Sequence, residues 1–284
     1  MFRTLILMFF TFFFFHLHAT GNITKYINMK YSYLSYIAIF IFAILTIVQA
    51  YVYLKELNEN ESESHTCCDH DHNHDHDHEN DKPFFKRIFI YTIFSFPLIS
   101  GLFFPIATLD SNIVKSKGFS FKSIETKDPY AQTQYLRPDS SVYYGKEGYY
   151  ELMQKELKKY SSKKVIALKD NDYLRGMETI YNYPGEFLGD TISFNGFAFK
   201  GEAVNKRQMF VLRFGVIHCI ADSGVFGMLV EFPEDVHLKD DQWLHVKGTL
   251  SSMYYQPFKS TIPVLKVKEW YKIEQPKDPY VYRN

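Results

Sequence analysis

The residues with the most chemistry in this sequence are crowded into one stretch, Cys67-Cys68-Asp69-His70-Asp71-His72-Asn73-His74-Asp75-His76-Asp77-His78-Glu79. Thiolate, imidazole and carboxylate are the ligand types that hold zinc and neighbouring divalent metals. Such a run cannot form a packed core, because ionised carboxylates resist burial and nothing apolar offsets the entropy of ordering the chain. In an extended segment side chains alternate, which puts His70, His72, His74, His76 and His78 on one edge and Asp71, Asp75 and Asp77 on the other. That gives many equivalent ligand sets and no single shaped site, since a structural zinc site sets short ligand pairs around a longer spacer. Cys67, Cys68 and these histidines are therefore expected to capture a divalent metal, with zinc the first candidate, in a weak and exchangeable way. The plainer alternative is a solvated polar linker.

A second cluster lies far along the chain, at His218-Cys219 followed by Ala221-Asp222. Adjacent residues of a regular strand point to opposite faces, so His218 and Cys219 need a bulge to address one ion or substrate together. Two readings stand side by side. One is a buried thiol beside a hydrogen-bonded imidazole, since free cysteine is among the most buried residue types. The other is a metal or small-molecule site formed by His218, Cys219 and Asp222, with a Cys219-dependent enzyme as its catalytic version. The sequence holds no phosphate-cradling Gly-rich loop with a following Lys, no nucleophile-elbow Ser and no helical His-Glu-x-x-His pair, so no catalytic residue is assigned and an enzyme is not expected.

Two unlike parts must position these clusters: an N-terminal third rich in Phe, Ile and Leu, and a remainder that carries most of the charge. Apolar runs cover 1–17, 31–54 and 88–109. Crossing lipid takes about 20 predominantly apolar residues and at least about 17, so the second and third runs are strong spans and the first is marginal. The first also begins like a signal peptide, but His18-Ala19-Thr20 is a poor cleavage motif, which favours an uncleaved helix. His16 and His18, near its end, either face interfacial water or serve a metal or proton path. Pro97 and Gly101 interrupt the third run, as expected of a helix packed against a partner or of a bare kink.

The His-rich loop, 55–82, thus joins the second and third spans. Arg3, Lys55, Lys82, Lys86 and Arg87 flank the N-terminus and this loop, against only Lys25 and Lys30 in the first connection. The positive-inside rule then puts the loop in the cytoplasm and everything after Leu109 outside, in a multi-pass protein of the cell membrane. Cys67 and Cys68 would lie in a reducing compartment where thiols stay available to metal.

Residues 110–138 read as a connector and 139–284 as an extracytoplasmic α+β domain. Leu152, Leu157 and Tyr160 recur at helical spacing over 147–160, with Glu151, Lys155, Glu156, Lys158 and Lys159 on a solvated face. A short strand follows at 165–168, then a helix over 172–181 behind the capping-type Asn171. From about 190 the pattern is β-rich, with strands expected over 191–200, 208–220, 225–232, 243–255 and 262–273, and Gly196, Gly201 and Gly248 as bulges or corners. Five strands suit a small OB-like barrel. Lys206, Arg207, Arg213, Lys239, Lys259, Lys266 and Lys268 are offset by Glu202, Glu231, Glu234, Asp235, Asp240 and Asp241, so no phosphate-binding stripe forms and nucleic acid is not an expected partner.

Several segments carry a resemblance: Ile27-Asn28-Met29-Lys30-Tyr31-Ser32-Tyr33-Leu34, Phe103-Phe104-Pro105-Ile106-Ala107-Thr108-Leu109-Asp110, Arg213 through Asp222, Trp243 through Gly248, and Pro276-Lys277-Asp278-Pro279-Tyr280-Val281-Tyr282. With the His-rich loop and His16-Leu17-His18, the chain resembles, nearly end to end, the bacterial YcgQ-type permease subunits. The resemblance implies a small membrane subunit working beside a separate polytopic permease; it brings no substrate and no catalytic residue. Together with the metal-type loop, it leads to an expected accessory subunit of a membrane transport system for a divalent metal. The alternative is a metal-responsive envelope sensor or scaffold with an exported ligand-binding barrel.

Overall fold

The computed structural model describes residues 2–62, 84–104, 108–117, 145–201 and 205–283. The chain forms two compact units, Met1–Ile23 with Tyr31–Ala107, and Thr24–Lys30 with Thr108–Asn284.

The first unit contains α1 (Phe2–Ala19), α2 (Ser32–Ser62) and α3 (Phe84–Phe103). Long uncharged runs become helices because lipid offers no partner for backbone N–H and C=O groups, which a helix satisfies internally. Phe2–Ala19 and Met29–Asn58 are long and apolar enough to cross a bilayer, whereas the apolar part of α3, Ile88–Phe103, falls short of 18 residues. Phe10 and Phe14 of α1 both stack on Phe42 of α2, at 5.5 and 6.0 Å between ring centroids. Nearer the connection, His18 Nε2 lies 2.7 Å from Ser35 Oγ and its ring stacks on Tyr36. Pro97 sits inside a continuous α3. Gly101 gives way to α1: a Cβ there would come within 2.6 Å of the Phe13 ring. The small residue in the third run thus serves packing within this chain.

The second unit is sheet-rich. Its strands are β1 (Val165–Leu168), β2 (Thr191–Phe199), β3 (Gln208–Val216), β4 (Gly224–Glu231), β5 (Trp243–Tyr255), β6 (Ser260–Lys272) and β7 (Val281–Tyr282). They form a seven-stranded sheet in the order β1-β2-β5-β6-β4-β3-β7, with a further pairing of β2 to β3. The short strand expected at 165–168 is β1, parallel to β2, and one strand beyond the expected set, β7, adds parallel to β3. The register shift between Lys247 and Gly248 is the bulge expected at that glycine.

Beside the sheet lie α4 (Ser111–Lys117), α5 (Gly145–Ser161) and α6 (Asp170–Asn182). The segment expected as a connector from residue 110 therefore begins with a helix: Val114 is buried in the domain core, and Ser111 hydrogen-bonds through N–H and hydroxyl to Asp241. On α5 Tyr160 is buried and Leu157 packs against the core as expected, and Met153 and Glu156 are buried beside them. Glu156 is accordingly not a solvated residue; it is 5% exposed and pairs with Arg175 of α6 at 3.4 Å. α6 starts two residues before the expected 172, at Asp170, with Lys169 and not Asn171 at the cap position. Asp170 and Asp172 in its first turn suit the positive end of the helix dipole. Tyr173, Leu174, Met177, Ile180 and Tyr181 are its buried stripe. Tyr181 Oη donates to Gly227 O and accepts from Gly227 N at 2.8 Å, at a glycine with φ of 151° that other residues rarely adopt.

Candidate functional site

β3 stops at Val216, four residues short of the expected strand end, so His218 and Cys219 do not lie on a regular strand. The chain turns instead into the short 3-10 helix Ile220–Asp222. The Asp222 carboxylate closes this turn, accepting from the backbone N–H of His218 and Cys219 at 3.0–3.1 Å and lying 2.8 Å from His218 Nδ1. Asp222 is thus committed to N–H groups, and the three residues expected as a second site are brought together as a capping arrangement. Cys219 is a free, partly exposed thiol. Among the described residues no group of three or more His, Cys, Asp or Glu side chains is placed to hold a metal ion. Cys67, Cys68, His70, His72, His74, His76 and His78 lie outside the described residues.

Opposite this turn lies a segment whose role the sequence reading missed. Residues 24–30, the connection between the first two helices, belong to the sheet-rich unit. Ile27 forms an antiparallel bridge with Cys219, flanked by Asn28 N donating to His218 O at 2.9 Å and Ile220 N donating to Tyr26 O at 2.8 Å. Asn28 is 2% exposed, and its amide donates to Ile217 O at 2.9 Å and to Arg283 O at 3.0 Å. Tyr282 Oη donates to Thr24 O at 2.8 Å. The 24–30 connection, the turn after β3 and the C-terminal tail are therefore one hydrogen-bonded assembly.

The tail is fixed from below by Arg213, a single charge in an otherwise apolar strand. Arg213 is 1% exposed, ion-paired with Asp170 and lies 5.5 Å from the ring centroids of both Tyr173 and Trp243. Its remaining N–H groups reach the carbonyls of Asp278, Pro279 and Tyr280. Tyr280 Oη in turn accepts from Leu109 N at 2.8 Å. Burial pushes the Tyr173 phenol well above its ordinary value, and burial with the Asp278 carboxylate does the same for Tyr282, so both stay neutral hydrogen-bonding groups. A cleft of about 290 Å³ opens here, lined among others by Asn28, Lys30, Asp170, Asn171, Asp278 and Tyr282. Its charges of both signs and its hydroxyl and amide groups suit a polar or zwitterionic solute better than an apolar one.

The sheet face made by β2, β5 and β6 carries a separate polar cluster. His245 Nδ1 lies 2.6 Å from Asn195 Oδ1, and the His245 ring stacks on Tyr271 with centroids 4.8 Å apart. Burial lowers the His245 pKa from its ordinary value; the Glu269 carboxylate opposes the shift and Lys247 adds to it. The unfolded chain then takes up the proton first, so stability is complete above about pH 6.5 and declines as pH falls from there through the lower folded-state value. Denaturant midpoints measured from pH 7.5 to 5 should fall less in His245→Gln than in the parent chain.

Comparison with known proteins places the whole chain. The family model of the DUF1980 N-terminal domain matches residues 2–120, and that of the DUF1980 C-terminal domain matches residues 143–283. The chain is 68% identical over 283 residues to UPF0703 protein YcgQ of Bacillus subtilis (strain 168), covering 100% of this chain and 99% of the relative. It is 35% identical over 274 residues, 94% of each chain, to a Streptococcus mutans protein bearing the name "Putative two-component membrane permease complex subunit".

Proposed function

The chain belongs to the DUF1980 family, and from that premise we propose that it is an accessory subunit of a membrane transport complex, working beside a separate polytopic permease. The observation that carries the accessory role is how three hydroxyls of the membrane helices are spent. Thr11, Thr46 and Ser100 each turn their hydroxyl back to a carbonyl of their own helix, Leu7 O, Phe42 O and Pro97 O, at 2.7–3.1 Å. Large apolar residues such as Phe40, Ile47, Phe89 and Phe96 are exposed on the helices. Helices built this way meet lipid or other helices and offer little to line a hydrated path, so the path belongs to a partner. Metal is the proposed cargo, captured by the His-rich loop on the cytoplasmic side, a location favoured by the charge of Arg3, Lys55, Lys82, Lys86 and Arg87.

The exported unit is read as an OB-like barrel that docks a partner or a solute. Support comes from the ring β2-β5-β6-β4-β3, which the β2–β3 pairing closes, with β4 and β6 its one parallel pair. OB folds bind nucleic acid on their second and third strands. The strands at those positions here, β3 and β4, are buried almost throughout, which favours a partner other than nucleic acid.

Crosslinking in membranes followed by purification tests the role: a polytopic permease is expected as the main partner, and recovery of envelope or signalling proteins in its place would favour the sensor or scaffold reading. For the metal, calorimetry on the intact protein in detergent should show several weak zinc equivalents that are lost when His70, His72, His74, His76 and His78 are all replaced by Ser, and lost in the parent as pH drops below about 6.5. Unchanged zinc stoichiometry in that variant would leave the loop a polar linker.

A further inference from the structure

The contacts within each unit, taken separately, fix how the chain is threaded through the membrane, independently of the permease reading. A folded unit lies on one face of a bilayer. Residues 24–30 and 108–283 are parts of one such unit, joined by the Ile27–Cys219 bridge and by Asn28, a side chain buried to 2% exposure. The chain between residues 30 and 108 must therefore cross an even number of times. α2 supplies one crossing, as the Met29–Asn58 stretch is long and apolar and leaves Phe40, Ile44, Ile47 and Tyr51 exposed. The sequence 63–83 is too rich in His, Asp and Glu to supply another.

We infer that α3, despite its short apolar stretch, is a complete crossing parallel to α1, and that the α1–α2 connection is a built-in component of the C-terminal domain, on the bilayer face opposite the Cys67-Cys68 segment. Helix packing leads to the same threading. Phe10 and Phe14 meet Phe42 while His18 meets Ser35 and Tyr36, so α1 and α2 run antiparallel. Phe2 meets Tyr91 at 4.7 Å and Phe13 meets Gly101, so α1 and α3 run parallel. The shortfall in length is modest, since the apolar sequence continues through Phe104-Pro105-Ile106-Ala107 and a bilayer adapts to a short span by local thinning. The domain is consequently held at two points of the chain: by the 24–30 connection, and at the exit of α3, where Leu109 N–H reaches Tyr280 and Ser111 reaches Asp241.

The native cysteines make the test. In the bridge, residues 27 and 219 form a non-hydrogen-bonded antiparallel pair, whose Cα atoms are about 4.5 Å apart, within disulfide range. With Cys67 and Cys68 changed to Ser, Ile27→Cys should form an intramolecular disulfide with Cys219 under mild oxidation of intact cells, and the added Cys219→Ser change should abolish it. Separately, a membrane-impermeant maleimide should label Ser252→Cys, an exposed β5 position, on one face, and Cys67 and Cys68 only from the other. Labelling of both sets from the same face, or failure of the disulfide while Ser252→Cys is labelled, would overturn the inference. Neither readout involves a permease, so the accessory-subunit reading stands or falls separately.

Discussion

Replacing Arg213 by Ala should cost the C-terminal domain about 3–5 kcal/mol, the usual loss when one partner of a buried charged network is removed. The guanidinium is 1% exposed, but its carboxylate partner Asp170 is 65% exposed, so the ion pair itself is not the main source. The loss comes from the carbonyls of Asp278, Pro279 and Tyr280, which are left without their donor, and from the gap opened between Tyr173 and Trp243. Asp170→Asn, which keeps an acceptor oxygen and all the tail contacts but leaves the buried guanidinium without its anion, should cost less than Arg213→Ala. Denaturant unfolding of the intact chain in detergent, followed by tryptophan fluorescence, separates the two variants. Equal effects would mean that the exposed ion pair, and not the tail contacts, dominates.

A loss of the same rank is expected for Arg283→Ala. Arg283 donates to Glu178 at 2.9 Å, and the two side chains are 1% and 0% exposed. Removing one partner of so deeply buried an ion pair costs about 3–5 kcal/mol. The paired change Glu178→Leu with Arg283→Met should recover most of the loss, because a buried ion pair is often replaceable by apolar side chains of similar volume. A single Arg283→Ala chain as stable as the parent at pH 7 would remove Glu178 and Arg283 from the core network.

The helices and most strands are legible in the sequence because their signals are local. Uncharged runs mark α1, α2 and α3, and alternation or continuous apolar character marks β2 to β6. The assembly around the tail is not legible, for physical reasons that particular residues make plain. Asn28 finds its acceptors 189 and 255 residues away, and nothing in Ile27-Asn28-Met29 announces a bridge to Cys219. Arg213 counted among surface basic residues when read in one dimension. Its one cue was its position in Met209-Phe210-Val211-Leu212-Arg213-Phe214, where a strand buried on both faces forces any charge to bring its partners with it. Glu156 was misplaced for a related reason: helical spacing alone does not fix the face, and Arg175 of the neighbouring helix decides it. At His218-Cys219 the residue types are plain in the sequence, but their use in a turn closed by Asp222 depends on β3 ending at Val216.

Ion flux into liposomes separates an accessory subunit from a chain that itself forms the path. The chain, a copurified permease and the two together should be reconstituted at matched density with zinc supplied on the side of the His-rich loop. Flux should be at background for this chain alone and greatest for the pair. Zinc flux through this chain alone, or an unchanged rate when it is omitted, would contradict the assignment.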